Sequence, residues 1–217
     1  MTDTEIRTSS GGVIHGGGGD EGDGGHGPNG NGHGGSSESA QMLRLLTWLG
    51  LVSLAMGLGS LAFIYLHQAL DRLADRSFQP PGLMWVSTVL IVGSSASFIQ
   101  GHVSLRRGQT QNLVKYLSST LALGCLFLFS QVMVWSGLVS QGVYATTYPL
   151  SGMFYIMTIA HAIHVLGGLG WLGVVTKKAW AGKYSETNAL GVELCGLYWH
   201  FLTLVWLVYF VVLMAVH

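Results

Sequence analysis

The stretch GVELCGLYWHFLTLVWLVYFVVLMAV, Gly191 to Val216, is apolar from end to end, with Glu193 and His200 as its only acid and only histidine. A run of this length read as a helix crosses a hydrocarbon core of about 30 Å, for which roughly twenty residues at 1.5 Å rise are enough. Four further runs of the same kind lie upstream: Met42 to Leu66, Leu83 to Leu105, Tyr116 to Ser140 and Pro149 to Val175. Strands of a membrane β-barrel would be about half as long and would alternate in polarity, which these runs do not. The fold class that follows is all-α: an integral membrane bundle of five transmembrane helices.

Composition agrees. Of 217 residues, 49% are hydrophobic and 9% charged, and the mean hydropathy of +0.46 sets the chain apart from water-soluble domains. Ten basic residues balance ten acidic ones, so there is no electrostatic footprint for nucleic acid. Position of charge is more informative than its sum. With the amino terminus inside, the inner segments carry Arg7, Arg44, Arg106, Arg107, Lys115, Lys177, Lys178 and Lys183, and the outer ones only Arg72 and Arg76. The positive-inside rule therefore places the amino terminus in the cytoplasm and the carboxyl terminus outside.

Residues 1–40 form a separate unit, a Gly/His-rich tail expected to be disordered because it has too little apolar surface to offset chain entropy. His15, His26 and His33 raise the question of metal binding there; their loose spacing and the interspersed Asp20, Glu21 and Asp23 fit a solvated tail better. The tail lacks the basic start and apolar stretch of a cleavable signal peptide, so insertion is expected to be driven by the helices of residues 41–217. Cys125 and Cys195 lie inside apolar runs and read as packing residues. Trp85, Trp135, Trp171 and Trp180 lie near run ends, at the level where an indole meets the membrane interface.

An ionisable group within a membrane helix is costly and calls for a partner or a function. His161 and His164 are three apart in the fourth run, while Glu193 and His200 are seven apart in the fifth; each pair shares a helical face. The simplest reading is a structural polar cluster that sets the register of two adjacent helices. Two sharper readings compete with it. Paired histidines ligate haem, and Gly167, Gly168 and Gly170 after His164 would leave room for a porphyrin; a His/Glu set also suits a divalent metal, as a catalytic site or in a metal transporter.

The ordered motifs of residues 42–217 resemble subunit III of the haem-copper respiratory oxidases, in the form with five helices found in several bacterial cytochrome c and ubiquinol oxidases. The resemblance is carried by Tyr198-Trp199-His200-Phe201 followed by Val205-Trp206-Leu207 and preceded by Glu193, and by His161-Ala162-Ile163-His164-Val165 with Gly168. Ser94-Ser95 in the second run, and Leu123-Gly124, Phe127-Leu128 and Gln131 in the third, support it. Three acids usual in the family are absent: Leu54 follows Ser53, Val134 follows the Gln131 motif, and Thr203 stands after Trp-His-Phe. A divergent branch, such as a subunit III-like protein of a nitric oxide reductase, remains an alternative.

The resemblance implies a non-catalytic role in aerobic electron transport. The resemblance implies that this chain binds no haem, copper or other metal itself; haem and copper sit in the partner subunit, and subunit II is a further partner. On the same ground the chain packs on subunit I, holds membrane phospholipid, and supports proton uptake by the catalytic subunit. The resemblance also implies a bacterial-type inner (plasma) membrane location.

Overall fold

The computed structural model describes residues 34–71, 82–146, 149–184 and 189–215. Among them five helices run in sequence: α1 (Gly34–Asp71), α2 (Leu83–Arg106), α3 (Thr110–Ser140), α4 (Pro149–Trp180) and α5 (Leu190–Ala215). All five contain a segment long and apolar enough to cross a membrane, so the expected all-α membrane bundle is what forms. The expectation of a disordered tail falls on residues 1–33, outside the described residues. Its last seven residues, 34–40, are instead the first turns of α1, and α3 likewise begins at Thr110, ahead of the apolar run from Tyr116. Hydropathy marks where lipid begins. The backbone ladder continues past that point through good helix formers such as Ala40 and Gln41.

Three helices end in the same way. Gly108, Gly142 and Gly182 take φ of 71°, 75° and 65°, and the next amide closes back five residues: Gln109 N on Ser104 O at 3.0 Å, Val143 N on Leu138 O at 3.0 Å, and Lys183 N on Lys178 O at 3.1 Å. This is the Schellman closure, and the left-handed residue it needs is why glycine occupies each position. It caps orphan carbonyls at helix ends and turns the chain sharply enough for α3 to lie back along α2. After α3 the chain folds onto α4, where Ser151 Oγ donates to Tyr144 O at 2.9 Å and the Tyr155 hydroxyl to Val143 O at 3.0 Å.

The α2–α3 hairpin is the closest pairing. Ser87 and Ser130 hydroxyls meet at 2.8 Å near one end and Ser97 Oγ donates to Tyr116 O at 3.1 Å near the other. α5 packs directly on α1, α2 and α4. It reaches α3 through its two large indoles, since Trp199 lies against Gly124 and Trp206 against Phe127 with ring centroids 5.0 Å apart. Trp199, Trp206, Tyr209, Phe98, Phe127 and Phe154 are the bulk of the core. Leu45, Leu49, Met56 and Phe63 of α1 are exposed, as are Leu166 and Ile163 of α4: an apolar exterior, the inverse of a soluble protein and the surface a bilayer requires. Cys195 is buried, as expected of a packing residue, whereas Cys125 lies on this exterior.

Candidate functional site: the polar seam of α5

Membrane helices gain nothing from hydrophobic association with one another, so packing of small residues and hydrogen bonds between helices must specify the bundle. Both concentrate along α5. At its start, Glu193 pairs with Arg44 of α1 at 3.2 Å, with both side chains partly exposed. An ion pair this wet contributes at most about 1 kcal/mol, but it fixes the parallel alignment of α1 and α5 at the end where the basic residues collect.

Two turns on, α5 is bound to α2 by consecutive residues. Trp199 Nε1 donates to Ser94 Oγ at 3.1 Å, and His200 Nδ1 shares a 2.7 Å hydrogen bond with Ser95 Oγ. Ser94 passes its own proton to Ile91 O at 2.7 Å, which leaves its lone pairs to the indole. The His200 ring meets Phe98 edge-on at 5.6 Å. The approach of the two helices depends on Gly196, where a Cβ would lie 2.6 Å from Phe98 Cε1. On the α4 side the Tyr198 hydroxyl donates to the His164 carbonyl at 3.2 Å, and a Cβ at Gly168 would lie 3.1 Å from Tyr198 and 3.2 Å from Leu202.

Towards the other end, Trp206 Nε1 donates to Thr88 Oγ1 at 3.1 Å and the Tyr209 hydroxyl to Leu58 O at 2.9 Å. Trp135 Nε1 similarly bridges α3 and α4 by donating to Thr158 Oγ1 at 3.2 Å. Of the family-signature residues, Tyr198, Trp199, Trp206, Ser94 and Ser95 are donors and acceptors of interhelical bonds, Phe201 lines a groove between α1 and α5 with Trp48, Leu51 and Leu204, and Gln131 is buried with no hydrogen-bond partner among the described residues.

The expected cluster of His161, His164, Glu193 and His200 is not assembled as one unit. His200 is bonded to α2, Glu193 to α1, and His164 Nδ1 to Ala160 O of its own helix at 2.7 Å. His161 is buried between Phe127, Trp206 and Tyr209, with centroid separations of 6.1, 5.5 and 5.8 Å, and neither ring nitrogen has a hydrogen-bond partner among the described residues. The reason is axial. Seven residues separate Glu193 from His200 by about 10 Å along a helix, so one shared face does not place them at one level. The glycines that suggested room for haem also divide: Gly167 and Gly170 open away from any neighbour, and Gly168 is filled by Tyr198. Spacing alone did not find Arg44, Thr88 or Phe98 as partners; Arg44 was legible only as an inner positive charge.

The sequence profile described as Cytochrome c oxidase subunit III matches residues 64–216, from the last two turns of α1 to the end of α5. The chain belongs to the cytochrome c oxidase subunit III family. It is 34% identical over 127 residues to cytochrome c oxidase subunit 3 of Synechocystis sp. (58% of this chain, 53% of that one). It is 30% identical over 129 residues to that of Thermostichus vulcanus (59% and 63%), and 29% identical over 126 residues to that of Corynebacterium diphtheriae (58% and 62%). The chain therefore spans about half the length of the curated subunit III relatives it matches. The matched part contains the whole α2–α5 seam, while residues 34–63 of α1, including Arg44, Leu54 and Leu58, precede it. Two of the positions where the resemblance led to an expected acid are interior here: Val134 is fully buried, and buried Thr203 donates to Trp199 O at 3.1 Å.

Proposed function

We propose that this chain is the non-catalytic subunit III of a haem-copper terminal oxidase, where it braces the catalytic subunit I, with subunit II, and sustains proton uptake during aerobic electron transport. The observation that carries this reading is the use of the family-signature side chains. Trp199, His200, Trp206 and Tyr198 are engaged in bonds that hold α5 to α2 and α4. Side chains bonded in this way make α5 a brace between α2 and α4, the structural role this reading assigns to the chain. Oxygen chemistry, haem and copper are accordingly assigned to the partner subunits.

Phospholipid is the ligand this chain is proposed to hold. Supporting this are two apolar grooves open to the exterior, about 340 Å³ between α1 and α5 and about 260 Å³ between α3 and α4. The proposed location is a bacterial-type inner membrane with the amino terminus in the cytoplasm. In support, Arg44, Arg106, Lys115, Lys178 and Lys183 all belong to one end of the bundle.

The test is purification of the tagged chain from its native membrane in mild detergent, with the visible spectrum and subunit composition of what accompanies it. Copurification with a large haem-containing subunit, with the haem assigned to that subunit, is expected. Recovery of the chain alone and colourless would reject the oxidase role; recovery alone with a Soret band would make it a cytochrome.

A further inference from the structure

α3 presents one buried face to α4 and α5, and its residues occur in order along it: Gly124 against Leu169 and Trp199, Phe127 against His161 and Trp206, and Trp135 bonded to Thr158. Gln131 lies between Phe127 and Trp135, one turn from each on the same face. On α4, Thr158 and His161 are likewise one turn apart. The register therefore brings the carboxamide of Gln131 to the level of the His161 imidazole.

Both side chains are interior, 2% and 1% exposed, and all four of their polar atoms, Gln131 Oε1 and Nε2 and His161 Nδ1 and Nε2, have no hydrogen-bond partner among the described residues. The polar groups around them are committed elsewhere. Trp206 donates to Thr88, Tyr209 to Leu58 O, Trp135 to Thr158, Thr158 to Phe154 O, and Ser130 is bonded to Ser87 and Phe127 O. Phe127 closes another side with a ring that offers no hydrogen bond. Within a bilayer core no bulk solvent reaches such groups, and a buried amide or imidazole is retained only with a partner.

We infer that Gln131 and His161 form a binding site for internal water between α3, α4 and α5. The chemistry matches: a buried water makes two to four hydrogen bonds, and this pair offers an amide donor and acceptor together with one N–H and one bare nitrogen of a neutral imidazole. The water accepts from one group and donates to the other, which fixes the amide orientation and the imidazole tautomer together. The site is independent of the oxidase assignment, because it rests on the orphaned atoms and on helix register.

The experiment is a map of the intact, copurified complex at a resolution that shows ordered water, for the natural chain and for Gln131→Leu. A peak within hydrogen-bond distance of both side chains, lost from His161 in the variant, is expected. A direct Gln131–His161 hydrogen bond with no peak between them would overturn the inference, as would a peak on His161 unaltered by Gln131→Leu. X-ray radiolytic labelling gives a second readout, since water held in the interior oxidises the side chains around it. Tyr209 and Phe127 are expected to be labelled in spite of burial, with a several-fold drop in Gln131→Leu; absence of labelling in the natural chain would count against the site. If Gln131→Leu does not assemble, the natural chain's map and labelling decide.

Discussion

The indole of Trp199 on α5 donates to the hydroxyl of Ser94 on α2 at 3.1 Å, across a separation of 105 residues in the chain. The next residue on each helix repeats the contact, His200 with Ser95. Two adjacent bonds fix both the rotation and the axial register of a helix pair, where a single bond would leave one helix free to turn about it. Interhelical hydrogen bonds in membranes average below 1 kcal/mol, with the largest near 2, so Trp199→Phe and Ser94→Ala should each cost about 1 kcal/mol. The double variant should cost clearly less than their sum. Denaturant unfolding in detergent measures this coupling; full additivity would mean that the bond contributes nothing. Trp199→Ala should cost more, about 3 to 5 kcal/mol, because it also empties a large core site beside Gly124.

The glycines provide a test of packing with its own control. Gly196→Ala sets a methyl 2.6 Å from a ring carbon of buried Phe98, and Gly124→Ala sets one 2.8 Å from Trp199 and from Leu169. Neither Phe98 nor Trp199 has space to retreat, so each substitution should destabilise by about 1 to 3 kcal/mol. Gly167→Ala meets nothing within 4 Å and should be neutral or slightly stabilising, since alanine favours the helix. Melting temperatures of the three variants in one detergent would separate them, and an equal effect at all three would contradict the packing described.

Gly167 and Gly168 also show how far the sequence can be read. Both belong to a glycine-rich segment whose composition marks a close approach of helices, yet only Gly168 makes one. Composition locates the helix, and the angle at which a neighbour crosses decides which glycine is used. The five spans were legible because about twenty consecutive apolar residues have few other uses. The signature residues Trp199, Ser94 and Ser95 were legible as a motif, though their pairing was not. The supposed cluster of His161, His164, Glu193 and His200 failed for a related reason. Spacings of three and seven residues specify a face of a helix, whereas a cluster also needs a common level, and that depends on how far α4 slides past α5. α1 and α3 begin ahead of their apolar runs because hydropathy reports lipid rather than backbone bonding, whereas the runs of α2, α4 and α5 start within one residue of their helices.

Glu193 and Arg44 lead to a prediction about assembly. Their ion pair is exposed, so Glu193→Ala should alter the stability of the isolated chain by less than about 1 kcal/mol. Its effect should be felt in holding α1 to the rest of the bundle. The amount of assembled complex should fall more than turnover per complex, and Arg44→Ala should reproduce the loss without adding to it in the double variant. Quantifying subunit I recovered per membrane, alongside oxygen consumption per haem, distinguishes the cases. Normal assembly with slow turnover would show that Glu193 acts on protons instead of on α1.

A further prediction concerns Val134, one of the places where the family resemblance led to an expected acid and none is present. Its side chain is 1% exposed on the α3 face that packs into the bundle. A carboxyl group there would be buried one turn from Gln131, where keeping its charge costs several kcal/mol unless a partner is supplied and staying neutral requires uptake of a proton. Val134→Glu should therefore reduce the folded yield sharply, whereas Val134→Leu, which keeps the site apolar, should cost about 1 to 3 kcal/mol through overpacking alone. Thr203 gives a graded comparison: Thr203→Val keeps the shape and loses only the bond to Trp199 O, for a change of at most about 1 kcal/mol. Size-exclusion profiles and yields of the three variants from membranes order them as Thr203→Val mildest and Val134→Glu most severe. A monodisperse Val134→Glu at natural yield would mean that polar groups near α3, Gln131 and its proposed water among them, can solvate a carboxylate within the bundle.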